Sequence, residues 1–130
     1  MKYSKATNYA LHAMLSLANK TEKTSIGVQS LATELSVSTT YLSKILAKLV
    51  KEGLVLSSSG AQGGYSLAAN KNDVSFLDVI QAIEGKASLF ECDPQHGEHC
   101  LVHQVMLEAE TEMERQLKQK RIIDVAHQIK

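Results

Sequence analysis

Residues 24–67 constrain the fold most strongly, because two short helix patterns and a glycine-rich hairpin pattern follow one another there without a break. The apolar positions of both helices recur at helical spacing on either side of a Ser-Val-Ser interruption. They are Val28, Leu31, Ala32 and Leu35 in the first helix and Tyr41, Leu42, Ile45, Leu46, Leu49 and Val50 in the second. Ser38 is a suitable N-cap for the second helix, because its hydroxyl can accept from backbone N–H groups two or three residues later, and Gly53 is expected to end that helix.

The opposite face of the second helix carries short hydrogen-bonding side chains first and ammonium groups later. Its members are Thr39, Thr40, Ser43, Lys44, Ala47, Lys48 and Lys51. A recognition helix has this arrangement, because its N-terminal side chains meet base edges while nearby lysines neutralise phosphates. The pattern predicts a helix-turn-helix that contacts DNA through Ser38, Thr39, Thr40, Tyr41, Ser43, Lys44 and Lys48.

The segment after this helix has the pattern of a β-hairpin. Residues 54–56 and 65–67 form two apolar strands, and residues 57–64 connect them. Glycines in the connection allow the backbone to lie close to a narrow groove, and Gln62 can hydrogen-bond to minor-groove acceptors. In a hairpin seen alone such glycines often make only a turn, but behind a helix-turn-helix they favour a DNA-binding wing. The wing residues expected at DNA are Ser59, Gly60, Gln62 and Gly63.

The formal net charge of the 130 residues is zero, but the charge is divided unevenly along the chain. Residues 1–72 carry eight Lys/Arg and three Asp/Glu, a net charge of +5, whereas residues 73–130 carry six and eleven, a net charge of −5. We therefore expect a DNA-binding domain over 1–72, with Lys5 also at the DNA, and a sensor loop with dimerisation helices over 73–130, both in one compact unit. No apolar run approaches about 20 residues and no signal peptide is present, which predicts a cytoplasmic protein without membrane contact. The absence of a phosphate-binding loop, nucleophile elbow or paired carboxylates argues against an enzyme with a small-molecule substrate.

Three further helices are predicted outside this region. They cover residues 3–19, residues 75–84 with Ser75 as the cap, and about 100–120. The last has a narrow apolar stripe of Val102, Met106, Ala109, Met113 and Leu117, with Glu108, Glu110, Glu112, Glu114, Arg115 and Lys118 mostly turned away. Such a stripe suits pairing with a second copy, although burial against the same chain is the alternative. A homodimer would place two recognition helices about one DNA turn apart, on a near-palindromic operator in double-stranded DNA.

The segment 92–103 concentrates metal ligands and thiols. It contains Cys92, His96, His99, Cys100 and His103, which are both cysteines and three of the five histidines of the chain. In an intracellular protein such clusters more often hold metal or sense redox state than form structural disulfides. The cysteine spacing does not match a zinc knuckle, so a metal centre and a thiol switch both remain open.

Several motifs together resemble the Rrf-two (Rrf2) family of bacterial winged-helix transcriptional regulators, over nearly the whole chain. They are Tyr3-Ser4-Lys5 with Tyr9-Ala10, Tyr41-Leu42, Gly53-Leu54-Val55, the wing from Gly60 to Leu67, and Val79 to Gly85. The family includes an iron-sulfur cluster regulator, a nitric-oxide-sensing repressor and a cysteine-metabolism repressor. The resemblance implies a mainly α fold with a β-hairpin wing and a long dimerisation helix. It also implies a homodimeric transcription factor, usually a repressor, whose cysteine-bearing loop binds an iron-sulfur cluster in many members.

The family's cluster site transfers only in part. Members that bind a cluster commonly have three cysteines in the loop, the last within Cys-Leu-x-His. Cys100 to His103 matches that last element and Cys92 matches the first, but the middle cysteine is missing. Some relatives add ligands from the partner's amino-terminal helix, at positions that match Asn8 and His12 here. The resemblance thus implies a 2Fe-2S cluster held by Cys92, Cys100 and His12 of the partner subunit, with His103, His99 or His96 as fourth ligand.

Two departures from the family pattern affect the residues expected to read DNA. Some relatives carry an acidic residue at the position of Ser43 and an arginine at that of Ser59, so a relative's operator sequence does not transfer.

The proposed cluster ligands have alternative explanations. His12 lies among apolar residues and is alternatively a core residue. A metal-free thiol switch, in which Cys92 and Cys100 form a disulfide or react with an electrophile, is the main alternative for the loop. A zinc-binding or structural protein-interaction module is the second.

Overall fold

The computed structural model describes residues 3–19, 25–61, 63–68, 71–90 and 100–128, with the side chain of Lys71 excepted. The fold is mainly α with a two-stranded antiparallel hairpin, as the sequence predicts. The helices are α1 (Lys5–Ala18), α2 (Val28–Leu35), α3 (Thr39–Lys51), α4 (Phe76–Glu84), α5 (Leu101–Gln119) and α6 (Ile122–Ala126). The strands are β1 (Val55–Ser58) and β2 (Gly64–Leu67), and a 3₁₀ turn covers Lys71–Asp73.

The turn between α2 and α3 has the predicted local chemistry. Ser36 adopts the left-handed conformation with φ 59°, which reverses the chain at the end of α2. The Ser38 hydroxyl accepts from the Tyr41 N–H at 3.1 Å, and this confirms it as the N-cap of α3. Gly53 has φ 77°, a conformation that favours glycine, and follows the last turn of α3. The helix-turn-helix is therefore confirmed at both its caps.

The hydrophobic core lies between α1, α2 and α3 and extends to β1, α4 and α6. Its largest fully buried side chains include Met14, Leu31, Leu42, Leu46, Leu49, Val55, Val79 and Ile122. The apolar stripe predicted for α3 is buried at Leu42, Ile45, Leu46 and Leu49. The buried residues of α1 are Thr7, Ala10, Ala13, Met14 and Leu17, and the helix contacts several elements.

The hairpin strands are shifted slightly from their predicted positions. Pairing runs from Val55 opposite Leu67 to Ser58 opposite Gly64, so the strands continue further into the loop than residues 54–56 and 65–67. Ile26, just before α2, pairs with Tyr65 through two backbone hydrogen bonds of 2.9 and 2.8 Å. This bridge, which the sequence pattern did not predict, fastens the wing to the segment that enters the helix-turn-helix.

The carboxyl-terminal part of the chain packs against α1 through α4 and α6. Ser75 and Asp78 form a capping box at the start of α4, with bonds of 3.0 and 2.9 Å, which confirms the predicted cap. The unpredicted helix α6 follows α5 directly and packs against α1. The Ile122 N–H donates to the Val74 carbonyl at 3.0 Å, and the Ile122 side chain is buried. Contacts with α1 and α3 thus join residues 73–130 to residues 1–72.

The prediction for the faces of the long helix α5 is partly wrong. Its half-buried positions are His103, Met106, Glu110, Glu114 and Leu117. Val102 and Ala109 are exposed, which does not contradict a stripe predicted to pair with a second copy. The error concerns Glu110 and Glu114, which were predicted to be turned away but lie on the shielded side next to α4. Glu110 can lie there because the Leu89 N–H and the Ser88 hydroxyl donate to its two carboxylate oxygens at 2.9 and 2.6 Å.

Candidate nucleic-acid interface

The exposed face of α3 carries most of the residues predicted to meet DNA. Thr39, Thr40, Lys44 and Lys48 are exposed, and Ser43 is half-buried. The buried stripe on the other side of α3 holds the helix against the core, so these side chains keep a fixed face toward solvent. The helix has 13 residues and hence a length of about 20 Å, enough to lie across a major groove about 12 Å wide. The arrangement presents hydroxyls early and ammonium groups later along one surface.

The amino-terminal helix lies against α3 through an aromatic pair. The rings of Tyr9 on α1 and Tyr41 on α3 meet edge to face, with centroids 5.8 Å apart and planes at 90°. Tyr41 is 37% exposed, so its ring packs against Tyr9 on one side and remains accessible to solvent on the other part of its surface. Lys5 is exposed and lies four residues before Tyr9, which places the two side chains on one face of α1. Helical spacing therefore puts Lys5 on the face of α1 that carries Tyr9, the residue that contacts the recognition helix.

The wing requires glycine at Gly60, Gly63 and Gly64, the last because of its φ of 148° and a Cβ that would lie 2.5 Å from the Ile26 carbonyl oxygen. Gly60 has φ 94°, and the Gly63 N–H donates to the Gly60 carbonyl at 3.0 Å, which closes the turn. A Cβ atom at Gly63 would lie 2.7 Å from the Ser59 carbonyl carbon and closer still to the Ser58 carbonyl oxygen. Ser59 is exposed beside this turn, whereas Gln62 lies outside the described residues.

A hydrogen-bonded carboxylate next to α3, that of Glu84, was not predicted from the sequence. Oε2 of Glu84, the last residue of α4, accepts from the Ser4 N–H at 2.6 Å, from the Ser4 hydroxyl at 3.0 Å and from the Thr7 hydroxyl at 2.6 Å. The Thr7 hydrogen bond is the main cause that holds the pKa of Glu84 below its ordinary value; the Ser4 bonds and the charge of Lys48 act in the same direction, against partial desolvation. No spacing rule links positions 4, 7 and 84, although all three fall within or beside the motifs that carry the family resemblance.

A cleft of about 230 Å³ lies beside Glu84. Tyr3, Glu84, Glu110, Met113 and Glu114 line it together with the end of α4 and the segment that follows. Burial raises the pKa of the Tyr3 hydroxyl, and the negative charges of the three glutamates raise it further.

Three of the six predicted metal ligands are described. Cys100 is the half-buried N-cap residue of α5, and His103 lies one helical turn later, so the two share one face at the start of α5. Nδ1 of His103 is buried and has no hydrogen-bond partner among the described residues, and its ring lies 6.0 Å from that of Phe90. Cys92, His96 and His99 lie outside the described residues.

His12 is exposed, so its interpretation as a core residue is wrong. Its Nδ1 donates to the Asn8 carbonyl oxygen at 2.9 Å, and because a carbonyl only accepts, the neutral ring has its lone pair on Nε2. A histidine fixed in this way is a suitable metal ligand. Within the described ranges, no three His, Cys, Asp or Glu side chains are grouped as a metal site, so His12 and the Cys100–His103 pair remain separate in one chain.

The helix-turn-helix with its glycine-closed wing defines the chain as a winged-helix protein with a basic recognition helix. Residues 3–128 match the profile of the Rrf2 family, whose description is iron-dependent transcriptional regulator. The chain belongs to the Rrf2 family of transcriptional regulators, which confirms the resemblance seen in its motifs. In the part of the chain that the structure describes, no helix combines the length and apolar character needed to cross a membrane.

Similar proteins support the same assignment. The transcriptional regulator IscR of Vibrio atlanticus is 34% identical over 107 residues, which cover 79% of this chain and 62% of that protein, so the chain spans less than two thirds of that relative. The structure of CymR, the global cysteine regulator of B. subtilis, superposes with a TM-score of 0.87 at 26% identity and covers 100% of this chain and 99% of CymR. IscR of T. potens superposes with a TM-score of 0.80 at 28% identity, covering 100% of this chain and 89% of that one. The family and these relatives are transcriptional regulators and not enzymes.

Proposed function

We propose that the protein is a cytoplasmic, homodimeric repressor that binds a near-palindromic operator in double-stranded DNA and is switched at residues 92–103. The observation that carries the DNA-binding part is the exposed polar and basic face of α3 beside a wing closed by glycine. Thr39, Thr40 and Ser43 meet base edges, and the lysines neutralise phosphates. The other proposed DNA contacts are Lys5, Ser38, Tyr41, Lys44, Lys48, Ser59, Gly60, Gln62 and Gly63.

A salt series tests the DNA-binding part. Full-length protein is titrated into labelled duplex from its own promoter, and the logarithm of the binding constant is plotted against the logarithm of salt concentration. Lys44→Ala and Lys48→Ala should each reduce the slope by about 0.9, because each removes one phosphate contact. Lys118→Ala, an exposed lysine on α5, is the matched control and should leave the slope unchanged. A protein that prefers no promoter fragment over random duplex would contradict the proposal and favour a protein-interaction module.

Dimerisation through α5 is supported by its exposed apolar side chains. Leu101, Val102 and Val105 at its start are 74%, 61% and 63% exposed, an arrangement that a second copy would cover. Val102→Glu with Val105→Glu should give a monomer in sedimentation velocity and lose cooperative operator binding. Glu108→Gln, at an exposed position of the same helix, should leave the dimer intact.

For the switch we propose a 2Fe-2S cluster bound by Cys92, Cys100 and His12 of the partner subunit. His103, His99 or His96 supplies the fourth ligand. The family's description as iron-dependent and the available Nε2 of His12 support this donor set. The Nδ1 of His103, which is buried without a hydrogen-bond partner among the described residues, supports it as well. When bound, such a cluster would supply redox-sensitive cross-linking of the two subunits. The protein's own residues orient the ligands: the Asn8 carbonyl fixes His12, and α5 fixes Cys100 relative to His103.

Anaerobic purification tests this assignment. We expect visible absorption with equal amounts of iron and acid-labile sulfide, and loss of both in Cys92→Ala and Cys100→Ala. His127→Ala changes an exposed histidine outside the proposed set and should keep the spectrum. Unchanged absorption in both cysteine variants would contradict the cluster and leave the DNA-binding proposal intact.

A metal-free thiol switch is the second candidate, and the presence of only two cysteines favours it. In this mechanism the Cys92 and Cys100 thiols would lose two protons and two electrons to an oxidant such as peroxide and form one disulfide bond. Protein without iron or sulfide that forms this disulfide and changes its operator affinity would select this mechanism. Bound zinc with no specific promoter binding would instead select the interaction module.

A further inference from the structure

The amino-terminal end of α1 is capped by a residue from a distant helix. The first turn of α1 has no acidic residue, and the Ser4 side chain makes no cap hydrogen bond to it. Instead, one carboxylate oxygen of Glu84 accepts from the Ser4 N–H, the Ser4 hydroxyl and the Thr7 hydroxyl. Thr7 is only 2% exposed, so its hydroxyl has few other partners available. The carboxylate therefore satisfies donors at the helix start and places negative charge at the positive end of the helix dipole.

Two contacts place this capped turn alongside the recognition helix. Tyr9 meets Tyr41 in the first turn of α3. Glu84, which holds Ser4, lies close enough to Lys48 for the lysine charge to influence its carboxyl group. Because Tyr41 and Lys48 are about two turns apart on α3, the first turn of α1 runs beside the middle of the recognition helix. Lys5, exposed on the same face as Tyr9, lies in that turn.

We infer that Glu84 is a positioning residue for DNA binding, which holds Lys5 beside the recognition helix by capping α1. This inference rests on the proposed DNA-binding function, because Lys5 contributes only if α3 meets DNA. Charge alone predicts the opposite effect, since a carboxylate near Lys48 repels phosphates and its removal would strengthen binding. The sign of the change in operator affinity therefore separates positioning from simple electrostatics.

A double-mutant cycle on the full chain tests the inference. Lys5→Ala should weaken promoter binding at 0.1 M salt by about threefold to tenfold and reduce the salt slope by about 0.9. Glu84→Ala should weaken binding by a similar factor, and the double variant should be no weaker than Glu84→Ala alone. Glu34→Ala, an exposed carboxylate on α2, should not weaken binding. Tighter binding by Glu84→Ala, or additive effects of the two changes, would overturn the inference.

Two further variants keep the test decisive if Glu84→Ala folds poorly. Glu84→Gln retains a neutral acceptor, and Thr7→Val removes one donor but keeps both the Glu84 and the Lys48 charges. In each of these two variants, Lys5→Ala should weaken promoter binding by a smaller factor than it does in the unchanged protein. Circular dichroism should show the same helix content in all of these proteins. A full Lys5→Ala effect in both backgrounds would contradict positioning.

Lys44→Ala separates this inference from the proposed function. If Lys44→Ala weakens promoter binding while Lys5 and Glu84 act independently, only the positioning role is wrong. If Lys44→Ala and Lys5→Ala both bind like the unchanged protein, the recognition-helix proposal itself is wrong.

Discussion

Tyr9 and Tyr41 join α1 to α3 by an edge-to-face contact, with ring centroids 5.8 Å apart and planes at 90°. Such a pair contributes about 0.5–1.5 kcal/mol beyond the area that it buries. Because Tyr41 is in the first turn of the recognition helix, the contact fixes the end of α3 that would meet base edges. The orientation of the exposed face of α3 thus depends on Tyr9, a residue outside the helix-turn-helix.

We expect Tyr9→Ala to lower the free energy of unfolding by about 2 kcal/mol, because it removes the aromatic contact and leaves a partial cavity. Operator affinity should fall as well, since the start of α3 loses a support. Tyr9→Phe keeps the ring and serves as the control, with a change below about 0.5 kcal/mol. Urea unfolding and DNA titration measure the two effects. Equal stability of the alanine and phenylalanine variants would show that the ring contact is not important.

Gly63→Ala should weaken DNA binding while most of the helical structure is kept. The new Cβ would lie 2.7 Å from the Ser59 carbonyl carbon, so the wing backbone must shift. Gly27→Ala is the matched control, since Gly27 has φ −68° and nothing lies within 4 Å of the added Cβ atom. We expect at least a fivefold loss of affinity for Gly63→Ala, which corresponds to about 1 kcal/mol. Equal operator affinity of both variants in the titration would exclude the wing from DNA contact.

The free energy of unfolding should depend on pH through Glu84. The Thr7 hydrogen bond, followed by the Ser4 bonds and Lys48, holds the pKa of Glu84 below its ordinary value of 4.5. A lowered folded-state pKa stabilises the protein above about pH 4.5, and that stabilisation is lost as the pH falls through the lower value. Urea unfolding at about pH 7 and about pH 3 should therefore show a smaller loss of stability in Glu84→Gln than in the unchanged protein. Identical losses would mean that the carboxylate contributes nothing.

The two serine caps, Ser38 and Ser75, should contribute different amounts to the free energy of unfolding. Ser38→Ala should cost about 1 kcal/mol, the typical value for an exposed N-cap. Ser75→Ala should cost more, about 2 kcal/mol, because Ser75 is buried and its loss also breaks the capping box with Asp78. Ser43→Ala, which changes a serine outside both caps, should alter stability by less than about 0.5 kcal/mol. Chemical denaturation gives all three values, and a reversed order would contradict the role of the capping box.

Features with local causes were predictable from the sequence. Ser38, Gly53 and Ser75 act through hydrogen bonds or backbone angles within a few residues, so their residue types revealed the helix ends. The Ile26–Tyr65 bridge and the pairing of Val74 with Ile122 join distant parts of the chain, and no periodic pattern marks them. Local periodicity therefore recovered the helix-turn-helix and missed the connections that fasten it.

The error in α5 has a different physical origin. Apolar spacing assigned Glu110 to the solvent side, because an unpaired carboxylate is costly to shield. The segment after α4 supplies the Leu89 N–H and the Ser88 hydroxyl, and these donors satisfy Glu110 on the shielded side. Val102, a member of the predicted stripe, and Val105 face outward at the start of α5.

The cap on α1 also determines when during synthesis that helix can be completed. Ser4 and its acceptor Glu84 are 80 positions apart, so the ribosome produces the helix start long before the carboxylate that stabilises it. At typical elongation rates of about 5–20 residues per second, the delay is roughly 4 to 16 seconds. During that time the Ser4 N–H and the hydroxyls of Ser4 and Thr7 lack this acceptor. The proposed DNA-binding surface, formed by Lys5 and the exposed face of α3, therefore becomes complete only after α4 has left the ribosome and folded back onto α1.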